Sequence, residues 1–163
     1  MNSIKAKILD DLDKKLIRLL SEDGRMPVKK LVEKLDISNP TINSRMKNLI
    51  KSGVLRIAGL VDIFSTKGLI MALVAIRVKD DSKLDDTLTQ ISDLDNVHSA
   101  IAVTGRYDIF AEVVFTGEMG ALYDFMSQKL PALENIGSSE SFVVMKAKKK
   151  WLLLPSGLIN RWD

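Results

Sequence analysis

The sequence predicts an α+β protein of two modules, an N-terminal winged helix-turn-helix followed by a βαββαβ sheet domain. Three observations carry this. Residues 1–60 hold 13 Lys and Arg against 7 Asp and Glu, a net +6, whereas residues 61–163 hold 11 against 14, a net −3. Apolar residues recur at helical spacing over the first fifty positions and in strand-like runs thereafter. The later runs come in the order strand-helix-strand-strand-helix-strand, which closes into one antiparallel sheet with both helices on one face. A basic first module beside a mildly acidic second one points to a polyanion as the partner of the first alone.

Leu9-Asp10-Asp11-Leu12-Asp13 opens the first helix. Asp10 can cap it, and Asp11 and Asp13 suit the positive end of its dipole. Leu12, Leu16, Ile17, Leu19 and Leu20 make an apolar stripe before Asp23-Gly24 stops it. The second helix starts at Pro27 and carries Val28, Leu31, Val32 and Leu35. The third, SNPTINSRMKNLIKSG over 38–53, has Ser38 as a cap, Pro40 in its first turn and Gly53 as its stop.

On this third helix Ile42, Met46, Leu49 and Ile50 fall on one face. The opposite face holds Ser44, Lys47, Asn48 and Lys51, flanked by Thr41 and Arg45, and contains no acid. Short polar side chains can reach base edges and cations can neutralise phosphates. A single such helix is ordinarily a solvated surface. Two short helices in tandem, the second with an acid-free polar face, instead form the DNA-reading pattern. Thr41, Ser44, Arg45 and Asn48 are the expected readers, with Lys47, Lys51 and Arg56 on phosphates. VLRIAGLVD, after Gly53, reads as a small wing.

Phe64-Ser65-Thr66-Lys67-Gly68 is a polar link, and LIMALVAIRVK (69–79) is the first strand of the sheet. A helix over DDSKLDDTLTQISDLD presents Leu84, Leu88 and Ile91. Two strands, 97–105 and 107–116, flank the turn VTGRYD; a helix over 117–133 and a strand over 138–150 complete the set. The resulting boundaries are 1–62 for the first domain, 63–68 for the linker, 69–150 for a ferredoxin-like domain and 151–163 for a tail. The sheet's second face, with Met71, Leu73, Ala100 and Ala102, is too apolar to be left in water. It implies a partner, most economically a second copy.

Composition narrows the remaining classes. A chain of 163 residues, 46% apolar, can bury a real core. No apolar run reaches the roughly 18 residues of a membrane-spanning helix, and the charged start MNSIKAKILDDLDKK is unlike a signal peptide. Without cysteine there are no disulfides, thiolate metal sites or thiol nucleophiles. A cytoplasmic location without membrane contact follows as the expectation. The sole histidine, His98, lies on a strand and reads as structural; no spacing suits a metal or a cofactor.

In sum, the opening L-D-x-x-D (Leu9 to Asp13), D-G-R (Asp23 to Arg25), the I-S…T-I-x-x-R core of the third helix, S-G-V and the later V-T-G-x-Y-D resemble the Lrp/AsnC family of transcription regulators. The likeness covers about residues 9–150. It implies a DNA-binding domain joined to a ligand-sensing RAM domain, in a homodimer that often assembles to an octamer. The implied DNA target is double-stranded and palindromic, and the implied effector is a small amino acid bound at subunit contacts. The positions corresponding to that effector site are Gly105, Tyr107 and Asp108, with Ser139 and Ser141. Asp108 can pair with an ammonium, and the Gly105 backbone or a Ser hydroxyl can donate to a carboxylate. The same loop also reads as a plain hairpin turn with Asp108 as acceptor. The family leaves position 106 open, so Arg106 is expected to be dispensable.

Two departures from the family stand out. Met26-Pro27 replaces a Ser or Thr cap, and Asp36 occupies a turn position usually taken by Gly. The Lys146–Lys150 run reads as a solvated strand end, with DNA wrapping as the sharper alternative. The apolar tail with Trp151 and Leu152 is expected to pack on its own or a neighbouring subunit. An enzyme resembling sirohaem decarboxylases, which share this scaffold, is the rival class.

Overall fold

The structure, a computed structural model, describes residues 8–117 and 119–159. The chain divides into two compact units, 1–59 and 60–163. In the first, α1 (Asp11–Glu22), α2 (Val28–Leu35) and α3 (Asn39–Lys51) close around Leu16, Leu20, Leu31, Ile42 and Leu49, all buried. The helix ends follow the sequence chemistry. Asp10 accepts the Asp13 N–H at 2.8 Å, and Ser38 accepts the Thr41 N–H. Pro27 precedes α2 with no side-chain cap. Asp36 sits in the left-handed region at φ 54°, ψ 48°, where its short polar side chain tolerates the turn between α2 and α3.

Residues 54–60 form no strand, so the hairpin expected after Gly53 is not formed. Ile57 and Leu60 stay exposed there, and Val61 pairs instead with Leu152 of its own C-terminal unit. The segment expected as a linker is also packed: Ile63–Ser65 is a single 3-10 turn whose Ile63 is buried.

The second unit contains β1 (Leu69–Val78), α4 (Leu84–Ser92), β2 (Val97–Ala102), β3 (Ile109–Thr116), α5 (Gly120–Asp124) and β4 (Ile136–Val143). The sheet order is β2-β3-β1-β4, antiparallel throughout. α5 runs on into a π-helical turn, Phe125–Lys129, over the single helix expected for 117–133. Ala72, Val74 and Ile76 of β1 face the helices with Val113, Phe115, Leu122, Phe125 and Leu130.

Ala100 and Ala102 do not join Met71 and Leu73 on the far face. The β2–β3 register shifts between Val97 and Ser99, and one inserted residue reverses the alternation beyond it. Ala100 therefore lies against the helix-side core, and Ala102 pairs with Ile109 of that core.

The last strand ends at Val143, short of the lysine run. The run cannot stay in the ladder, because the chain turns away to dock its tail, with Lys149 at φ 57°. Leu152 and Leu158, the latter in α6 (Ser156–Ile159), are buried with Ile63, Met71 and Val114 on the far face of the sheet. Trp151 remains 58% exposed. The tail is also held by polar contacts. Lys150 donates to Glu112, and His98 Nδ1 lies 2.8 Å from the Leu153 carbonyl. A carbonyl only accepts, so that ring nitrogen carries a proton. His98 is thus a structural residue, as its position on a strand suggested. Among the described residues no helix is long and apolar enough to cross a membrane, and no three His, Asp or Glu gather as metal ligands.

Candidate nucleic-acid interface and effector loop

The face of α3 that turns from the core follows from its wheel. With Ile42 and Leu49 buried, Thr41, Ser44, Lys47, Asn48 and Lys51 are all exposed. Among the described residues, no side chain is bonded to Ser44, Lys47, Asn48 or Lys51. Thr41 shares its hydroxyl with Ser38 at 2.8 Å within the cap. Arg56 is exposed on the irregular segment after α3. This leaves two hydroxyls, a carboxamide and lysine ammonium groups along one helix, a set that suits base edges and phosphates.

Arg45 is placed differently. Its guanidinium turns to α1, where Nη1 donates to Asp13 at 3.1 Å and to the carboxylate of Asp10. The Asp13 side chain is only 6% exposed, whereas that of Arg45 is 36% exposed. Asp10 uses its other oxygen to cap α1. Its carboxyl lies below the ordinary aspartate range, chiefly because the Asp13 N–H and then Arg45 favour the anion. Arg45 is correspondingly pushed up by its bonds to the two carboxylates. A signal for this was present in the sequence: Asp13 falls on the same stripe as Leu16 and Leu20, and a carboxylate there needs a cation.

In the second unit the loop between β2 and β3 is a turn with Gly105 at φ 127°, a region that disfavours side chains. Asp108 is bonded on three sides. Its N–H donates to Ile76 and its carbonyl accepts from Val103, each at 2.9 Å. Its carboxylate accepts the Val78 N–H at 2.9 Å, beside the β1–β4 register shift between Arg77 and Val78. Asp108 thereby ties the turn to β1. Tyr107 stacks edge-on against Phe110, with the Arg106 guanidinium 5.5 Å from its ring centroid. The Glu140 carboxylate beside the phenol pushes its pKa up, with burial adding to the effect. Arg106 lies 3.7 Å from the same carboxylate, in solvent.

Within one chain this loop does not meet Ser139 and Ser141. On β4 these pair with Ile76 and Val74, the β1 residues that face the helices. Glu140, between them, pairs with Ala75 and so projects to the other face, where it meets Tyr107 and Arg106. Strand alternation contained this signal, since a residue flanked by the two serines must point away from them.

Two family models match the chain. One, winged helix-turn-helix DNA-binding, covers residues 9–56; the other, the Lrp/AsnC ligand binding domain, covers residues 71–151. An HTH-type transcriptional regulator of Pyrococcus abyssi, itself uncharacterised, is 30% identical over 142 residues, 86% of this chain and 89% of the relative. The leucine response regulatory protein LrpA of Mycobacterium tuberculosis superposes with a TM-score of 0.77 at 26% identity, covering 87% of this chain and 96% of that one. A transcriptional regulator of Neisseria meningitidis, solved as a complex with L-Met, gives 0.70 at 25% identity over 93% and 99%.

Proposed function

The chain belongs to the Lrp/AsnC family of DNA-binding transcription regulators, and from that premise we propose how its own residues divide the work. The acid-free face of α3 carries the proposal. Ser44 and Asn48, with Thr41 at the helix start, read base edges in the major groove; Lys47, Lys51 and Arg56 bind flanking phosphates. Short hydroxyl and carboxamide side chains reach bases only when the helix lies close, and the lysines on either side favour that approach.

The target is double-stranded DNA with two-fold symmetry, read by a homodimer that further assembles to an octamer. The far face of the sheet supports the dimer. The tail covers its Met71–Val114 end, while Ile101 and Phe142 stay 53% and 50% exposed on the remainder. A second copy set on that remainder would remove this apolar surface from water.

The effector is a small amino acid, a reading supported by the Neisseria meningitidis regulator having been solved as a complex with L-Met, and it binds in the RAM domain near Gly105, Tyr107 and Asp108. Ser139 and Ser141 of a neighbouring subunit complete the site. Bound across a subunit contact, it changes which spacings of half-sites two α3 helices reach together. The protein acts in the cytoplasm.

The deciding experiment is fluorescence anisotropy against a duplex selected from random DNA, between about 50 and 200 mM salt. Affinity should fall by orders of magnitude, with a log–log slope near −0.9 for each phosphate neutralised. A flat salt response sinks the reading. A thermal-shift panel of the twenty amino acids tests the sensor, since a ligand at a hundredfold its dissociation constant adds about 2.7 kcal/mol.

A further inference from the structure

Arg45 belongs to the reading helix yet spends its guanidinium on α1. The partners are unequal. Asp13 is 4% exposed overall, so its carboxylate has little water and relies on Arg45. Asp10 is at the surface and divides its two oxygens, one capping α1 through the Asp13 N–H and one holding Arg45. The clasp is the polar tie between α1 and α3 among the described residues. Around it the packing is aliphatic: Leu16, Leu20, Ile42 and Leu49.

Aliphatic contacts hold two helices together but are non-directional, so they leave rotation of a short helix about its axis weakly specified. A guanidinium between two carboxylates is directional and admits little rotation. Turning α3 by one residue's worth, about 100°, would exchange the side chains it offers outward. Much smaller rotations would still move Asn48 and Ser44 off the bases they contact.

We propose that Asp10 and Asp13 are specificity determinants for DNA, acting through Arg45 to set the rotation of α3. The inference rests on the DNA-reading function above. Neither acid lies on the outward face of α3, and Arg45 is a positioning residue rather than a base reader. Selectivity for sequence then depends on two carboxylates that repel DNA and never contact it.

The test uses the full chain and a duplex that the wild type selects from a random library. The readout is the ratio of affinities for that duplex and for a scrambled one, measured at 25 °C on variants whose circular dichroism is native. Asp10→Ser keeps an N-cap oxygen and removes only the bond to Arg45, so it stays folded. Asp13→Asn and Arg45→Gln break the clasp from its two sides. Each should lower the ratio roughly tenfold, within the range of a lost base contact. Asp13→Asn combined with Arg45→Gln should be no worse than the poorer single change. Arg45→Lys, which keeps a cation for the carboxylates, should recover part of the ratio. The salt slope should be unchanged by Asp10→Ser, because no phosphate contact is lost.

A merely structural clasp would lower the melting temperature of these variants and leave the ratio within twofold, which overturns the proposal. It is equally overturned if Arg45→Gln lowers the ratio while Asp10→Ser and Asp13→Asn do not, since Arg45 then reads bases itself. A wild type that selects no duplex defeats the DNA reading, a failure distinct from either of these.

Discussion

Among the described residues, the N-terminal unit closes on five buried aliphatic side chains and a clasp of two carboxylates around Arg45. The C-terminal unit buries twelve residues between its sheet and helices and five more where its tail meets the far face. Its loop ion pair, Arg106 with Glu140, lies in solvent. The difference follows from size. A large sheet core positions its elements by shape, because many interdigitating side chains admit one arrangement. Three short helices share too few contacts for that, so a directional polar bond supplies what packing does not. The consequence reaches function: the unit with the thinner core presents the reading helix, and the unit with the thicker core carries a turn whose backbone favours glycine.

The comparison breaks most severely if the small core proves tolerant. Leu31→Ala removes a fully buried side chain from a set of five and should cost about 2–5 kcal/mol. Chemical denaturation should then melt the N-terminal helices in a separate, earlier transition. A single unchanged transition would mean the units do not stand apart as their cores suggest.

The loop offers the next largest effect. Gly105 has open space around the position of a Cβ, so Gly105→Ala meets no clash and tests backbone strain alone at φ 127°. It should cost about 1–3 kcal/mol, read as a lower melting temperature of the C-terminal unit. No change would show that the core does not hold the turn in this conformation.

Acid sharpens the contrast between the two polar clusters. The carboxyl of Asp10 is lowered on folding, so its contribution is complete above the unfolded value near 3.8 and is lost as pH falls through the lower folded value. Tyr107 is raised, so its contribution is complete below its unfolded value and is lost as pH rises through the folded one. The N-terminal unit should therefore weaken on the acid side, and the loop on the alkaline side. Glu140→Gln should bring the phenolate absorbance titration of Tyr107 back toward an ordinary tyrosine; an unmoved midpoint would remove Glu140 as the cause.

The smallest effect is expected of Arg106→Ala. Its side chain is 79% exposed at 3.7 Å from Glu140, and such pairs contribute about 0–1 kcal/mol. A loss well above that range would mean that the loop depends on its ion pair as α3 depends on its clasp, and the contrast between the units would fail.

Periodicity and caps by themselves determined the three helices and their polar and apolar faces, because these depend on residues a few positions apart. The order of later runs determined the sheet's topology for a different reason, since few arrangements of four strands and two helices bury one helix-covered face. The exposed set on α3 was legible too: once Ile42 and Leu49 are buried, the opposite side is fixed by the 100° step of a helix. What the tertiary structure decided is where long-range partners meet. Arg45 reads as one more cation on a polar face until Asp10 and Asp13, more than thirty residues earlier, are brought against it. The Ala100 side of β2 turned on one inserted residue, and the strand expected to continue through the lysines gave way to a tail docking on Met71 and Val114. Asp108 was legible as a possible acceptor, but that its carboxylate meets the Val78 N–H, thirty residues earlier, was decided by the fold. Local rules specify which side chains can bond, but a charge or a β-strand register takes its partner from whatever the fold brings within 3 Å, and no spacing in the chain encodes that distance.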